Sequence, residues 1–144
     1  MANVQDVAKC FLCLDDANSG DGISNLKLQK LVYYAQGFYS ALFGKPLFSN
    51  PILAWAHGPV VDELYQTYKH HGRDHIPLPT EFTNELLTKD ESELIEEVFD
   101  VYGQYSAWKL RNMTHEESPW LAHETEAGVI PLNEITEFFK NKVN

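Results

Sequence analysis

Residues 26–61, LKLQKLVYYAQGFYSALFGKPLFSNPILAWAHGPVV, decide the fold of this chain. The first half of this stretch predicts a helix over residues 25–43 that is apolar almost all the way round. A helix with so little polar surface cannot lie on the outside of a small protein, so other helices must pack around it. Gly44, Lys45 and Pro46 end the helix, because Gly is favoured just after a helix and Pro cannot continue one.

The second half of this stretch predicts a change of backbone conformation. Residues 51–56, PILAWA, are too few for a helix and predict a short extended segment, which could pair in a two-stranded β ribbon. Gly58 and Pro59 follow, and Pro is favoured at the first position of a helix. The sequence therefore predicts a third helix that begins at Pro59 and continues to Gly72.

The sequence also predicts a close packing contact in the central helix and the start of a later helix. Gly37 lies inside the predicted central helix, where Gly costs about 1 kcal/mol relative to Ala. We expect the close approach of a neighbouring backbone to compensate for this cost. Downstream, Asp90 and Glu93 have the spacing of a capping box, which predicts the start of a helix that ends at Gly103.

The remaining apolar periodicity completes the predicted fold class. It predicts a first helix over residues 3–17, short helices between residues 106 and 123, an extended segment at 129–131, and a last helix from about residue 132. The chain is therefore expected to be mainly α, with residues 1–144 forming one compact helical domain around the buried central helix.

Composition and charge limit the function classes. Hydrophobic residues make up 44% of the 144 residues and charged residues 22%. These shares are ordinary for a soluble globular protein. No apolar run approaches the roughly 20 residues of a membrane span, and the N-terminus lacks the pattern of a secretory signal. We therefore expect a cytoplasmic protein with no membrane contact. The net charge of −10 repels phosphate backbones, so nucleic-acid binding is not expected, and it favours a basic partner.

The two cysteines, Cys10 and Cys13, form a single C-x-x-C inside the predicted first helix. A redox motif is expected at a strand-to-helix turn, and a structural zinc site needs a second pair of ligands. Neither context is present, so both cysteines are expected to be structural. No metal site and no cofactor are predicted.

Three blocks of sequence carry a family resemblance. They are KLQKL with YYAQG at residues 27–37, AW with HGPVV at residues 54–61, and T-H-x-x-x-P-W at residues 114–120. In this order and at these distances, the blocks resemble those of the Panacea domain, the SocA-like antitoxin family. The resemblance covers roughly residues 5–140.

The resemblance implies a mainly α-helical domain and an antitoxin role. Characterised members of the family belong to bacterial and phage toxin–antitoxin pairs and neutralise their toxins by direct protein contact. The chain is then expected to be a non-catalytic antitoxin of a type II pair, whose toxin is encoded by an adjacent gene. Similar proteins are known only as phage-associated, so a phage-associated regulatory role stays open, as does the oligomeric state.

The candidate partner-binding residues are polar or amphipathic side chains within or near these blocks. They are Lys27, Lys30, Tyr33, Gln36, Trp55, His57, Tyr65, His115 and Trp120. Polar groups beside aromatic rings are typical of protein-binding surfaces. For the lysines and Gln36 a second interpretation is open, in which the lysine stems lie along the core and their ammonium groups reach water.

An enzyme is the alternative from a different class. His115 with Glu116 and Glu117 could serve acid–base chemistry, and His70, His71 and His75 could bind a metal in a small hydrolase. A Cys–His pair, Cys13 with His115 or His57, is a weaker candidate because a helical Cys lacks a feature that lowers its pKa. No nucleophile or substrate anchor accompanies these histidines. We therefore expect His115 to bond across the corner between two helices.

Overall fold

The computed structural model describes residues 1–18 and 20–143, and it is mainly α-helical, as predicted. The α-helices in these residues are α1 (Val4–Ala17), α2 (Asn25–Phe43), α3 (Asp62–Tyr68), α4 (Lys89–Tyr102), α5 (Ala107–Thr114), α6 (Ser118–Leu121) and α7 (Leu132–Lys142). Three short strands are β1 (Ile52–Trp55), β2 (Gly58–Val60) and β3 (Val129–Ile130), and single 3-10 turns cover Lys69–His71 and Asn84–Leu86.

Helix α2 is the central element, and the prediction of residues 25–43 is confirmed. It contacts α1, α3, α4, α5, α7 and β2, and its Leu31 and Ala35 are fully buried. The Ser24 hydroxyl caps its start by accepting a hydrogen bond from the Lys27 N–H at 3.3 Å. Gly44, in the left-handed conformation at φ 69°, ends it. An almost entirely apolar helix is thus enclosed by its neighbours.

The strands form a three-stranded antiparallel sheet in the order β2-β1-β3, rather than the two-stranded ribbon that the sequence suggested. Leu53 in β1 lies opposite Val60 in β2 on one side and Val129 in β3 on the other. The extended conformation predicted near Val129 is confirmed, but its pairing with β1 joins two segments that all of α3 to α6 separate in the chain. Local sequence patterns carry no information about such a pairing.

The predicted role of Pro59 is wrong. Pro59 lies in β2, opposite Ala54, and α3 begins only at Asp62. Proline has no N–H to donate to a strand ladder, so within sheets it is confined to edge strands and bulges. Strand β2 is an edge strand, which explains how the sheet accommodates Pro59.

The predicted cap of α4 is also displaced by two residues. Thr88 is the N-cap, and its hydroxyl accepts a hydrogen bond from the Glu91 N–H at 3.2 Å. The Glu91 carboxylate accepts a hydrogen bond from the Thr88 N–H at 2.8 Å in return. This reciprocal pair satisfies two backbone donors at the helix start, so Thr88 and Glu91 form the capping box instead of Asp90 and Glu93.

Gly37 is required by a side chain and not by a neighbouring backbone, contrary to the expectation. A Cβ atom at this position would overlap the ring of Phe139 from α7. Phe139 is fully buried and packs edge-to-face against Tyr33 and Tyr34 of α2. Because Gly37 has no side chain, the Phe139 ring of α7 packs directly against α2 at this position.

Gly37→Ala is expected to lower the free energy of unfolding by about 2 kcal/mol, because overpacking the Phe139 contact outweighs the better helix propensity of Ala. Urea denaturation measures the difference. Gly128→Ala is the matched control, since the nearest atom to a Cβ at residue 128 is 3.9 Å away. A Gly37→Ala protein as stable as the wild type would contradict the close contact.

Candidate functional site

Two polar side chains of the KLQKL block, Gln29 and Lys30, bond to the backbone of the β1–β2 hairpin and of the residue that follows it. Lys30 donates to the Pro59 carbonyl oxygen at 3.0 Å. The Gln29 side-chain oxygen accepts from the Val61 N–H at 2.8 Å. Irregular backbone leaves polar groups that no helix or ladder satisfies, and buried groups of this kind need partners. The block therefore holds the hairpin against α2.

Gln36, further along α2, also bonds to backbone groups outside the helix. Its side-chain oxygen accepts from the Leu47 N–H at 2.7 Å, and its amide donates to the Phe48 carbonyl oxygen at 2.9 Å. The Gln36 side chain thus holds the backbone of Leu47 and Phe48, just after the turn that follows α2, against the helix. Lys27 donates to the carbonyl oxygen of Gly103 at 2.7 Å. This contact places the Lys27 charge at the C-terminal end of α4, where the helix dipole favours a cation.

Neither interpretation of Lys27, Lys30 and Gln36 from the sequence is correct, because all three side chains are buried. They do not line an exposed edge of α2, and the Lys30 ammonium does not reach water, since the residue is only 1% exposed. Tyr33 is fully buried as well. Burial leaves these four residues little surface in the free chain, so their contact with a partner stays only a prediction.

His115 lies at the corner between α5 and α6, but its ring nitrogens contact α5 and the β1–β2 turn, and not α6 across the corner as the sequence suggested. Its Nδ1 lies 2.7 Å from the Arg111 carbonyl oxygen and its Nε2 lies 2.9 Å from the Ala56 carbonyl oxygen. Both partners are acceptors, so only the doubly protonated ring can donate to both. Trp120 packs against the imidazole with ring centroids 3.8 Å apart and donates to the Trp55 carbonyl oxygen at 2.7 Å. His115 and Trp120 thus anchor the end of β1.

Gly58 lies where the hairpin meets α2 and α5. Its φ of +106° is a conformation that other residues rarely adopt. A Cβ atom here would lie 2.8 Å from Lys30 Cε and 2.8 Å from Thr114 Oγ1. The HGP and T-H blocks of the sequence therefore meet in space around Lys30, which explains why the three blocks occur together.

Glu117 forms a second buried polar cluster with tyrosines of α2. Its Oε2 accepts a hydrogen bond from the Tyr34 hydroxyl at 2.8 Å, and Tyr34 stacks on Tyr102 with centroids 4.2 Å apart. The Tyr33 hydroxyl and Glu117 Oε1 are buried without a hydrogen-bond partner among the described residues. Burial raises the pKa of Glu117 to about 7. His115 and Glu117 bond to different partners, so they do not form an acid–base pair.

An open groove lies beside the hairpin and α2. We call it the aromatic groove and define it by Leu26, Trp55, His57, Tyr65 and Trp108, which line a cavity of about 870 Å³. Trp55 and Tyr65 pack edge-to-face with centroids 5.1 Å apart. His57 is exposed on the two-residue turn between β1 and β2. The groove thus brings together three of the predicted partner-binding residues, Trp55, His57 and Tyr65.

Trp108 is the groove residue that the sequence reasoning missed. It lies in α5, one of the short helices predicted between residues 106 and 123, and it is 58% exposed. The Arg111 guanidinium lies over its ring at 4.4 Å from the centroid, in a cation–π contact. Arg111 Nε also donates to His57 Nδ1 at 3.3 Å. The spacing of Trp108 and Arg111 places both on one face of α5, a signal that the sequence contained.

The candidate residues for enzymatic chemistry are separated. The rings of His70 and His71 lie 4.0 Å apart, whereas His75 pairs its backbone with Ser24. In residues 1–18 and 20–143, no three His, Cys, Asp or Glu side chains come together as a metal site. Burial raises the pKa of Cys10 to about 12 and also raises that of Cys13, which disfavours the nucleophilic thiolate.

None of the helices in the described part of the chain has the length and apolar character needed to cross a bilayer.

Comparisons with known proteins agree with the resemblance found in the sequence. The family model described as "Antitoxin SocA-like, Panacea domain" matches residues 28–121. Antitoxin SocA of Caulobacter vibrioides is 33% identical over 122 residues, which cover 76% of this chain and 64% of that protein. No solved structure matches. The chain spans about 64% of the length of this relative. The match to the family model, which covers more than half of the chain, shows that the chain belongs to the SocA-like antitoxin family with a Panacea domain.

Proposed function

We propose that this chain is the antitoxin of a type II toxin–antitoxin pair and that it neutralises a toxin protein by direct contact, without catalysis. The observation that carries the proposal is the aromatic groove, because it presents Trp108 beside Arg111 on the surface of a chain that belongs to an antitoxin family. Tyr65, which is 37% exposed, borders the same groove. Trp, Tyr and Arg are the residues that dominate binding energy at protein interfaces.

The bonding of the polar residues supports a binding role over catalysis. Lys30 and His115 direct their hydrogen bonds to backbone carbonyls of the chain itself, at the hairpin that shapes the groove. A catalytic acid or base must reach the proton of a substrate. Lys30 and His115 thus hold the hairpin in place, whereas aromatic and cationic side chains form the rim of the groove.

We further infer that residues 1–144 form one domain, that the toxin is encoded by an adjacent gene, and that the pair acts in the cytoplasm. The packing of α1, α3, α4, α5 and α7 on the single helix α2 supports the first point. Membership of an antitoxin family supports a toxin as the partner, which is the basis of the second point.

Co-expression with the product of the adjacent open reading frame tests the proposal. We expect that product alone to stop growth and this chain to restore it. Trp108→Ala should raise the Kd of the purified complex at least tenfold, roughly 1–2 kcal/mol, as is typical of an aromatic hot spot. Isothermal titration calorimetry measures the Kd.

Phe43→Ala is the matched control for this experiment. Phe43 is an aromatic residue that is 41% exposed and lies outside the groove, at the end of α2. Its replacement should leave the Kd and the growth rescue unchanged. Failure of the wild-type chain to bind the adjacent gene product or to restore growth would contradict the proposal, and equal effects of both variants would place the contact elsewhere.

A further inference from the structure

The aromatic groove has the opposite charge to the chain as a whole. The chain carries 21 Asp and Glu against 11 Lys and Arg, a net charge of −10. The described residues that line the groove include the exposed cations Lys69 and Arg73 but no Asp or Glu. Arg111 adds a third cation beside Trp108. Lys30 also lines the groove but is not counted, because burial lowers its pKa to about 7. The groove is therefore a local positive region on a negative protein.

Two of these cations are free to meet a partner. Lys69 and Arg73 are exposed; Lys69 begins the 3-10 turn that follows α3, and Arg73 comes shortly after it. Within residues 1–18 and 20–143, neither side chain forms a hydrogen bond or an ion pair, whereas Lys89 and Lys140, which do not line the groove, pair with neighbouring glutamates. An exposed cation that forms no ion pair and lies next to an apolar surface suits an incoming anion.

The shape of the groove indicates a ligand with an apolar part as well. Its volume of about 870 Å³ falls in the range of clefts that enclose a ligand, roughly 300–1,000 Å³. Trp55, Tyr65 and Trp108 supply rigid aromatic area, and Leu26 adds aliphatic surface. The groove thus combines an apolar floor with cations, which matches a peptide in which carboxylates accompany an aromatic or aliphatic side chain.

We propose that the aromatic groove binds an acidic segment of the toxin, with an apolar side chain of that segment against Trp55, Tyr65 and Trp108 and its carboxylates on Lys69 and Arg73. This inference rests on the proposed antitoxin function and names the chemistry of the partner's binding segment. It reverses the expectation of a basic partner, which came from net charge alone.

Charge screening favours a short acidic peptide over a nucleic acid. At physiological ionic strength exposed charges act over about 8 Å. A peptide with a few carboxylates stays within the positive groove. A longer phosphate backbone extends onto the surrounding surface of a chain with a net charge of −10, which repels it.

Selection from a phage-displayed library of random dodecapeptides on the purified wild-type chain tests the preference. We expect enrichment of peptides that place Asp or Glu next to an aromatic or aliphatic residue. The double variant K69E/R73E should weaken binding of the synthesised peptides at least tenfold in fluorescence anisotropy. The double variant K45E/K89E changes the net charge equally at exposed lysines outside the groove, and it should bind as the wild type does.

Three results would overturn the inference. They are enrichment of Lys- and Arg-rich peptides, absence of peptides whose binding depends on Lys69 and Arg73, and groove-dependent binding of a single-stranded oligouridylate, which would assign the groove to nucleic acid. All four altered side chains are exposed. Equal circular dichroism spectra and thermal unfolding of the two double variants would show that a difference in binding is not caused by misfolding.

The growth assay with the adjacent gene product separates this inference from the proposed function. Rescue by wild type and K45E/K89E but not by K69E/R73E supports both. Rescue by all three proteins overturns the acidic-segment inference and leaves the antitoxin function intact. No rescue by the wild type overturns the antitoxin function, and the peptide selection then decides alone whether the groove prefers acidic segments.

Discussion

Lys30→Met is expected to abolish a rise in the free energy of unfolding, of about 5 kcal/mol, that the lowered pKa of Lys30 should give the wild-type chain between about pH 7 and pH 10.5. Burial, with a smaller contribution from the charge of Arg111, lowers the pKa of Lys30 from 10.5 to about 7. In this pH window the unfolded chain holds the proton and the folded chain does not, so raising the pH favours folding. A methionine fills similar space and does not titrate.

Below pH 7 the Lys30→Met variant should be more stable than the wild type, though by less than the full amount. The Pro59 carbonyl loses its donor in the variant, which costs about 1–3 kcal/mol if it stays unsatisfied. Urea denaturation from pH 6 to pH 10 measures both effects. The difference between the two curves is the relevant quantity, because buried tyrosines such as Tyr102, whose pKa burial raises to about 12, act equally in both proteins.

Lys45→Met is the matched control for Lys30→Met. Lys45 is exposed in the turn after α2, so its replacement should leave the pH dependence of the wild type unchanged. If the curves of the wild type and the Lys30→Met variant ran parallel from pH 6 to pH 10, Lys30 would keep its proton in the folded chain, and the account of its burial would be wrong.

Glu117→Gln should remove a second pH dependence, of the opposite sign. Burial raises the pKa of Glu117 from 4.5 to about 7, although the Tyr34 hydrogen bond and the charge of Lys142 act in the other direction. Between these pH values the folded chain keeps the proton that the unfolded chain has lost. The free energy of unfolding therefore falls by about 3 kcal/mol as the pH rises through this window.

The Gln side chain keeps an acceptor for the Tyr34 hydroxyl and carries no charge at any pH. At pH 8 the variant should accordingly be more stable than the wild type, and at pH 4 the two should be similar. Thermal unfolding across pH 4–8 measures the difference. Glu116→Gln is the control, because Glu116 is an exposed neighbour. An equal pH response of both variants would rule out a buried proton on Glu117.

The positions of the polar residues show where sequence reasoning reached its limit. Lys27, Lys30 and Gln36 were recognised as unusual on an apolar helix, but which groups they face depends on chain segments distant in sequence. Lys30 meets the Pro59 carbonyl, and Lys27 meets the carbonyl of Gly103, 76 residues away. A buried lysine is tolerated only where such a partner is present, and a local pattern cannot supply that partner.

The candidate site was predictable only in part for the same reason. Trp55, His57 and Tyr65 were identified from the sequence, and they line one groove. The positive charge of that groove could not be predicted, because a net charge of −10 describes the sum of the chain and not its distribution. Lys69 and Arg73 meet Trp108 only when the turn after α3 and helix α5 line the same groove.

The sequence alone determined the secondary structure that depends on neighbours in the chain: a central apolar helix over residues 25–43, its end at Gly44, the helices around it and the extended segments. Apolar periodicity and turn residues act within a few positions, so they can be recognised without coordinates. The tertiary structure alone decided the three-stranded sheet, the seat of Phe139 on Gly37 and the charge of the aromatic groove. Each of these features depends on contacts between residues that are distant in the sequence. Such contacts stabilise the fold only after the chain has paid the entropy of bringing those residues together.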